Sequence, residues 1–266
     1  MLSTNRAWEL TLLVCCTGIV VDALERLVSV RKYRDDGIFG WPIARQRLVL
    51  LPAWLRVPAD RVFRGTRVLE IVLVSRVGAA VSVVVAAPGS PSHSLALTVL
   101  LATHLLVAIK TGGIGAIGAD PMILMVTGAA WLTTALTHDP RCARAGLWFI
   151  AGQACLGYFI AGVAKLAAPR WRSGEAMPAV LSTHGYGHPK MYAFVRARPR
   201  LSLFMCWSVM LWEATFPFVL VLPRPLVWPF LGVGILFHVQ IAALMGLNLF
   251  AFAFPATYAA ILALSS

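Results

Sequence analysis

Residues 145–168 read AGLWFIAGQACLGYFIAGVAKLAA, a run in which Lys165 is the one charge. About 20 apolar residues wound as an α-helix cover the ~30 Å of hydrocarbon in a bilayer. A helix of this length on the surface of a soluble protein would carry a polar face. This one has none, so it reads as a membrane span. Seven further segments share its character: Trp8–Val30, Val68–Ala87, Ser94–Ile109, Pro121–Thr137, Leu201–Leu222, Leu226–Leu244 and Leu247–Leu264. Ser94–Ile109 and Pro121–Thr137 are short for a full crossing. Helices are the expected solution because every backbone polar group must be satisfied within lipid. The expected fold is all-α: a polytopic membrane bundle of about eight spans, forming a single membrane-embedded domain over residues 1–266.

The whole composition agrees. Of the 266 residues 59% are hydrophobic and only 13% charged, and the mean hydropathy is +0.78. Ordinary soluble domains carry about 25% charged residues. A soluble fold could not hide so much apolar surface, and disorder is excluded by the same figures. At the amino terminus Leu10–Val21 is apolar, but Arg6 is offset by Glu9 and no small-x-small cleavage site follows. Val14 stands where a lipoprotein signal before Cys15 would want a small residue. A retained first helix is expected. Cys15, Cys16, Cys155 and Cys206 sit in apolar runs and Cys142 near a loop, with no CxxC pair. They read as buried small hydrophobes rather than a disulfide or zinc framework.

The net charge of +12 needs its own account. Two loops are long. Residues 31–67 hold Arg31, Lys32, Arg34, Arg45, Arg47, Arg56, Arg61, Arg64 and Arg67, with an apolar stretch Leu48–Val57 read as an interfacial helix. Residues 169–200 hold Arg170, Arg172, Lys190, Arg196, Arg198 and Arg200. Alternating eight spans puts both loops on one side together with Lys110. The other side receives Arg6, Arg141, Arg144 and Arg224. By the positive-inside rule both long loops are expected in the cytoplasm of a multi-pass cell-membrane protein. The positive charge is thus chiefly an orientation signal, and no nucleic-acid partner is expected.

Ionisable groups inside spans are costly and mark functional candidates. Asp22, Glu25 and Arg26 cluster on the first helix, with Asp22 and Arg26 spaced to pair. Glu70 and Arg76 lie near the start of the second, where Arg76 can snorkel. Tyr158, Gly162 and Lys165 share a helix face. Beside them run Ala154, Gly157, Ala161, Ala164 and Ala168, small enough for close helix packing. Lys165 either points into the bundle as a base or snorkels from the helix end. Glu213 and His238 are mid-span in later segments and would join Lys165 as acid and proton shuttle. His184 and His188 have ligand spacing, but the glycines and proline around them argue against a helix, and no metal site is expected. Asp35-Asp36-Gly37 is a turn signal, and Asp120-Pro121 a helix start. There is no P-loop, GxSxG, HExxH or dinucleotide fingerprint.

Tyr158-Phe159-Ile160-Ala161-Gly162-Val163, then Lys165-Leu166 and Trp171-x-x-Gly174, resemble the membrane core of vitamin K-dependent gamma-carboxylase and the related bacterial horizontally transferred transmembrane (HTTM) proteins. Glu213, Phe237-His238 and Asn248-x-Phe250 continue the likeness, which covers the carboxy-terminal two fifths. The amino-terminal half matches in helix layout and at Gly118-Ala119-Asp120. The resemblance implies a helical membrane bundle with Lys165 where the carboxylase keeps its base. It departs at Ala164, which replaces a second lysine, and in a Lys-to-Trp spacing one residue longer. The chain stops at Ser266, before the large soluble region of the carboxylase, so carboxylation of a propeptide-bearing protein is not expected.

What the resemblance leaves is a pocket for a prenyl chain. The first expectation is an isoprenoid-modifying lyase, most concretely a terpene cyclase on a prenyl diphosphate. Lys165, Glu213, His238, Asp22 and Glu25 are its candidate catalytic residues. Tyr158, Trp171, Arg170, Arg172, Lys190 and Arg196 would bind the substrate, aromatic faces holding a carbocation and arginines the diphosphate. A magnesium ion would accompany a diphosphate. The second expectation is a peptide-modifying or peptide-toxin maturation enzyme with Lys165 as base. The third is a non-catalytic membrane partner or transporter.

Overall fold

A computed structural model describes residues 2–47, 53–112, 118–136 and 139–265. Among them there is no strand. The protein is an all-α polytopic membrane protein, with six helices among the described residues long and apolar enough to cross a bilayer. The principal helices are α1 (Thr4–Val28), α2 (Ala53–Phe63), α3 (Arg67–Val85), α4 (Pro91–Thr111), α5 (Ala119–Ala130), α6 (Pro140–Ala167), α7 (Pro189–Arg196), α8 (Pro199–Thr215), α9 (Arg224–Met245) and α10 (Tyr258–Leu264). Large apolar side chains such as Ile71, Phe159, Phe204, Trp228 and Leu236 remain exposed along the long helices. Exposure on that scale fits lipid, not water, as the neighbour.

Two of the eight expected spans take another form. Over Pro121–Thr137 the α-helix ends at Ala130 and a π-helical stretch, Trp131–Leu136, follows. The Trp131 indole there donates to Thr98 Oγ1 on α4 at 2.9 Å. Over Leu247–Leu264 the chain breaks into Phe250–Ala253, a 3-10 turn Pro255–Thr257, and α10. Pro255 has no N–H to continue the ladder and its ring crowds the preceding turn, so the helix tightens and restarts. Ser94–Ile109, in contrast, grows to the full span α4. Ser90 caps that helix by accepting from His93 N–H at 3.2 Å, and Pro91 occupies its first position.

The chain groups into two units, one of Met1–Thr11 with Leu147–Ser266, the other of Leu12–Gly146. In the second, Ala23, Tyr33, Leu69, Val72, Leu73 and Val107 form a core. The buried positions of α3 recur as Leu69, Val72, Leu73, Arg76, Ala79, Ala80 and Val83, one face at helical spacing. Arg76 lies in the middle of that face and is only 1% exposed. It does not snorkel.

Parts of the first basic loop pack together. Trp41, Ala44 and Phe63 pack together, joining its two ends. Gly112 ends α4 at φ 66°, and a side chain there would strike the backbone of Ala44. Glycine is required on both counts. The Lys110 side chain is buried, donating from Nζ to Phe63 O at 2.6 Å and Gly65 O at 2.8 Å. Those carbonyls lie at and just past the end of α2, where no intrahelical partner remains. Lys110 is therefore a structural cap, not the loop charge that topology counting assumed. The interfacial helix expected at Leu48–Val57 overlaps α2 only in part, and residues 48–52 lie outside the described residues.

Asp60 on α2 accepts from Trp41 Nε1 at 2.6 Å and from Arg45 Nη1 at 3.3 Å. The indole hydrogen bond holds the Asp60 carboxyl below its ordinary range, against opposing desolvation and with help from Arg45. A carboxylate favoured in the folded state contributes its stability fully above the unfolded value of about 3.9. That contribution disappears as pH falls through the lower folded value. Trp41→Phe should therefore move the Asp60 midpoint upward, as read by carboxyl-carbon NMR. An unchanged midpoint would remove the indole as the cause.

In the first unit, the buried face of α6 runs Leu147, Ile150, Ala151, Ala154, Cys155 and Tyr158, again at helical spacing. The second basic loop folds back onto α8: Ala176 packs with Cys206 and Met210, and Leu166, Trp171 and Met177 close around them. Ser202 on α8 donates to Gly174 O at 2.5 Å. All five cysteines are free, and four of them are buried, as their apolar settings suggested.

Candidate functional site

The site grows from a close approach between α6 and α8. A side chain at Gly162 would run into the backbone of Ala214 and Glu213. Glycine thus lets the two helices touch at that level. Of the expected stripe of small residues, Ala154 is buried, Ala161 and Ala168 are partly buried, and Gly157 and Ala164 are exposed. Lys165 stands three residues beyond Gly162, nearly one turn, and Glu213 is at the contact. Lys165 Nζ meets Glu213 Oε2 at 2.7 Å, with the lysine side chain 22% exposed and the glutamate 5%. Lys165 also donates to Ala161 O at 3.4 Å and lies 5.3 Å from the Trp171 ring centroid. A carboxylate this buried is stable as an anion only with its partner in place.

Two turns before Lys165 on α6, the Tyr158 hydroxyl is shared between His238 Nε2 at 2.5 Å and the Tyr258 hydroxyl at 2.7 Å. All three residues are buried. Protons can be ordered along this chain in either direction. Tyr258 can donate to Tyr158 and Tyr158 to His238, or each donor can become the acceptor. Reversal carries a proton from one end to the other, which is what a relay requires. His238 Nδ1 is buried and has no hydrogen-bond partner among the described residues.

Aromatic rings enclose the relay. Tyr158 contacts Phe216, Trp212 and Phe254 at centroid separations of 4.0, 5.0 and 5.0 Å. His238 stacks on Phe254 at 4.9 Å and 11°. Gly234 on α9 gives Trp212 and the Tyr258 hydroxyl room to reach this position. The faces of such rings attract cations, most strongly away from water.

Tyr158→Phe should leave His238 and Tyr258 buried with one partner fewer. The expected loss is about 1–3 kcal/mol of stability, measured by thermal unfolding in detergent. A loss no greater than that of an exposed Tyr186→Phe would mean the hydrogen bonds carry no weight.

The sequence-predicted residues divide clearly. Lys165, Glu213 and Trp171 come together, and Tyr158 joins His238. Arg170, Arg172, Lys190 and Arg196 are exposed on the second basic loop. Of these, Arg196 is held by its own helix, donating to Tyr192 Oη at 2.7 Å. Asp22 and Glu25 belong to the other unit, where Asp22 is paired with Arg26 and Glu25 is exposed. They are not brought to Lys165 within one unit. His188 caps α7 by accepting from Met191 N–H at 3.2 Å, a structural task. Asp120 lies in the first turn of α5 behind a Gly118 cap and meets Arg26 at 3.5 Å. Sequence reasoning missed Tyr258, Trp212, Phe216 and Phe254. A lone aromatic in an apolar run carries no signal of its own.

Among the described residues, no three His, Cys, Asp or Glu side chains gather as a metal site. These residues therefore offer no all-protein cage for magnesium, and Glu213 is already engaged by Lys165. Comparison of the chain with known families, curated proteins and solved structures gives no match.

Proposed function

We propose that the chain is a membrane-embedded enzyme acting on a lipophilic isoprenoid substrate, with cyclisation of a prenyl diphosphate the reaction its residues suit best. The observation that carries this reading is one unit holding both a Lys165–Glu213 pair and a hydrogen-bonded aromatic box around Tyr158 and His238. On this reading the chain is a membrane-core relative of the gamma-carboxylase-like proteins.

The chemistry follows from the parts. Arg170 and Arg172, just past the Lys165 helix, with Lys190 and Arg196 on the same loop, would take the diphosphate. The carbon–oxygen bond breaks and its electron pair leaves with the diphosphate. An alkene of the chain supplies the pair that closes the ring. Aromatic faces stabilise the resulting cation. A proton lost from the neighbouring carbon restores a double bond and passes to the Glu213 carboxylate, with Lys165 as its partner. The rings now fill their own space, so the substrate must lie along their edge or part them.

The test is expression in a bacterium enriched in prenyl diphosphates, with extracts searched for new cyclic hydrocarbons or alcohols. Products should appear with the natural chain and vanish with Lys165→Met. No product from monoterpene to diterpene precursors would overturn the cyclase reading. A peptide substrate reaching Lys165 would meet the same pair. Modification of a co-expressed peptide, with no terpene formed, would therefore establish the peptide-modifying alternative.

A further inference from the structure

The unit formed by Leu12–Gly146 holds a second polar cluster, independent of the Lys165 pair. It is centred on Arg76, midway along the span α3. Arg76 Nη2 lies 3.1 Å from His104 Nδ1 on α4. A guanidinium can only donate, so His104 Nδ1 accepts and the imidazole is neutral, its proton on Nε2. Arg76 Nε and Nη1 are buried and have no acceptor among the described residues. The side chain as a whole is 1% exposed, so solvent at the surface does not reach it.

The nearby carboxylates do not meet this need. Asp22 and Asp120 are within electrostatic reach of Arg76. Yet Asp22 is occupied by Arg26, whose Nε donates to both of its oxygens at 2.8 and 2.9 Å. Asp120 is turned to Arg26 as well, at 3.5 Å. The four formal charges of Asp22, Arg26, Arg76 and Asp120 cancel. The cluster is balanced in charge but not in hydrogen bonds. What Arg76 lacks is acceptor oxygens, and a buried charged donor left bare is severely destabilising.

We propose that Arg76 is a binding site for a carboxylate. Two oxygens on one planar group match adjacent guanidinium N–H bonds, which a single-point acceptor does not. The surrounding buried face of α3, with Val72, Leu73, Ala79 and Ala80, is apolar, and α4 adds Leu97 and Leu100. That setting suits a carboxylate on an apolar chain drawn from the bilayer. A short carboxylate from water would offer the same head group.

Binding tests the idea directly. The full chain in phosphatidylcholine nanodiscs is titrated with labelled palmitate, with butyrate, and with hexadecanol as the tail lacking the acid. Palmitate should bind saturably and hexadecanol should not compete. Arg76→Lys keeps the charge but loses the fork, and should weaken binding roughly tenfold or more. Arg76→Gln should remove it. Butyrate binding as tightly as palmitate would keep the carboxylate site and make water its source. Two results would overturn the proposal. One is palmitate and butyrate binding no better than hexadecanol. The other is either Arg76 variant binding palmitate within about twofold of the natural chain. Should Arg76→Gln fail to fold, the lysine variant carries the test alone. A glutamine variant more stable than the natural chain, with palmitate binding unchanged, would mark Arg76 as a purely structural cation.

Discussion

Lys165→Met will abolish turnover and destabilise the protein at the same time, and the two effects will separate in a double variant. Glu213 is 5% exposed and its partner is 2.7 Å away. Removing the ammonium strands a carboxylate in an apolar setting, a change that typically costs about 3–5 kcal/mol. Glu213→Gln should do less harm, because a neutral amide needs no counter-charge and Lys165 can reach solvent at the helix end. Replacing both, as Lys165→Met with Glu213→Leu, should recover most of the lost stability, since a buried pair can be exchanged for apolar groups at little net expense. Activity should not recover. Loss of a positioned acid or base lowers rates by about 10²–10⁴. Thermal unfolding and product yield on the natural chain and the three variants make the comparison. Restored stability with restored activity would reduce the pair to a structural clamp. Persistent instability in the double variant would show that the stability of this region does not depend on charge pairing.

Gly162→Ala should be the most damaging single-methyl change on α6. The added carbon would meet the backbone nitrogen and α-carbon of Ala214, and backbone cannot swing aside as a side chain does. Overpacking of this kind costs roughly 1–3 kcal/mol. It must also push α8 away from α6 and stretch the Lys165–Glu213 contact, so activity should fall with stability. Gly152→Ala is the internal control. On the same helix, a side chain at Gly152 meets nothing within 4 Å. There alanine should be neutral or stabilising by up to about 1 kcal/mol, from helix propensity alone. Equal behaviour of the two variants in a thermal unfolding assay would sink the close-contact account.

The residues that matter here differ in how visible they are along the chain. Lys165 and Glu213 stand out because a charge in an apolar run has few cheap explanations. That they meet each other rather than snorkel apart depends on Gly162, whose significance lies wholly in what it faces. Arg76 and Lys110 show the opposite error. Lys110 sits at a span end, where basic residues ordinarily reach the membrane surface, and Arg76 lies midway along α3, yet both are 1% exposed. Their partners, His104 and the carbonyls of Phe63 and Gly65, are 28 to 47 residues away in sequence. Tyr258 is the extreme case. It lies 100 residues from Tyr158, in a short helix created by the Pro255 break, and nothing local announces its hydroxyl as the end of a relay.

Sequence by itself determined the class of molecule. Hydropathy summed over about 20 residues is a local property, so the long spans, the absence of a soluble composition and the oddity of Lys165, Glu213 and His238 could be read directly. Tertiary structure alone decided which charges are paired, which are caps and which are left with bare donors. It also decided that Pro121–Thr137 and Leu247–Leu264 would not be simple spans. The reason is physical. Transfer into lipid depends on composition along one helix, whereas the fate of a polar group in lipid depends on what a different helix offers it a few ångströms away.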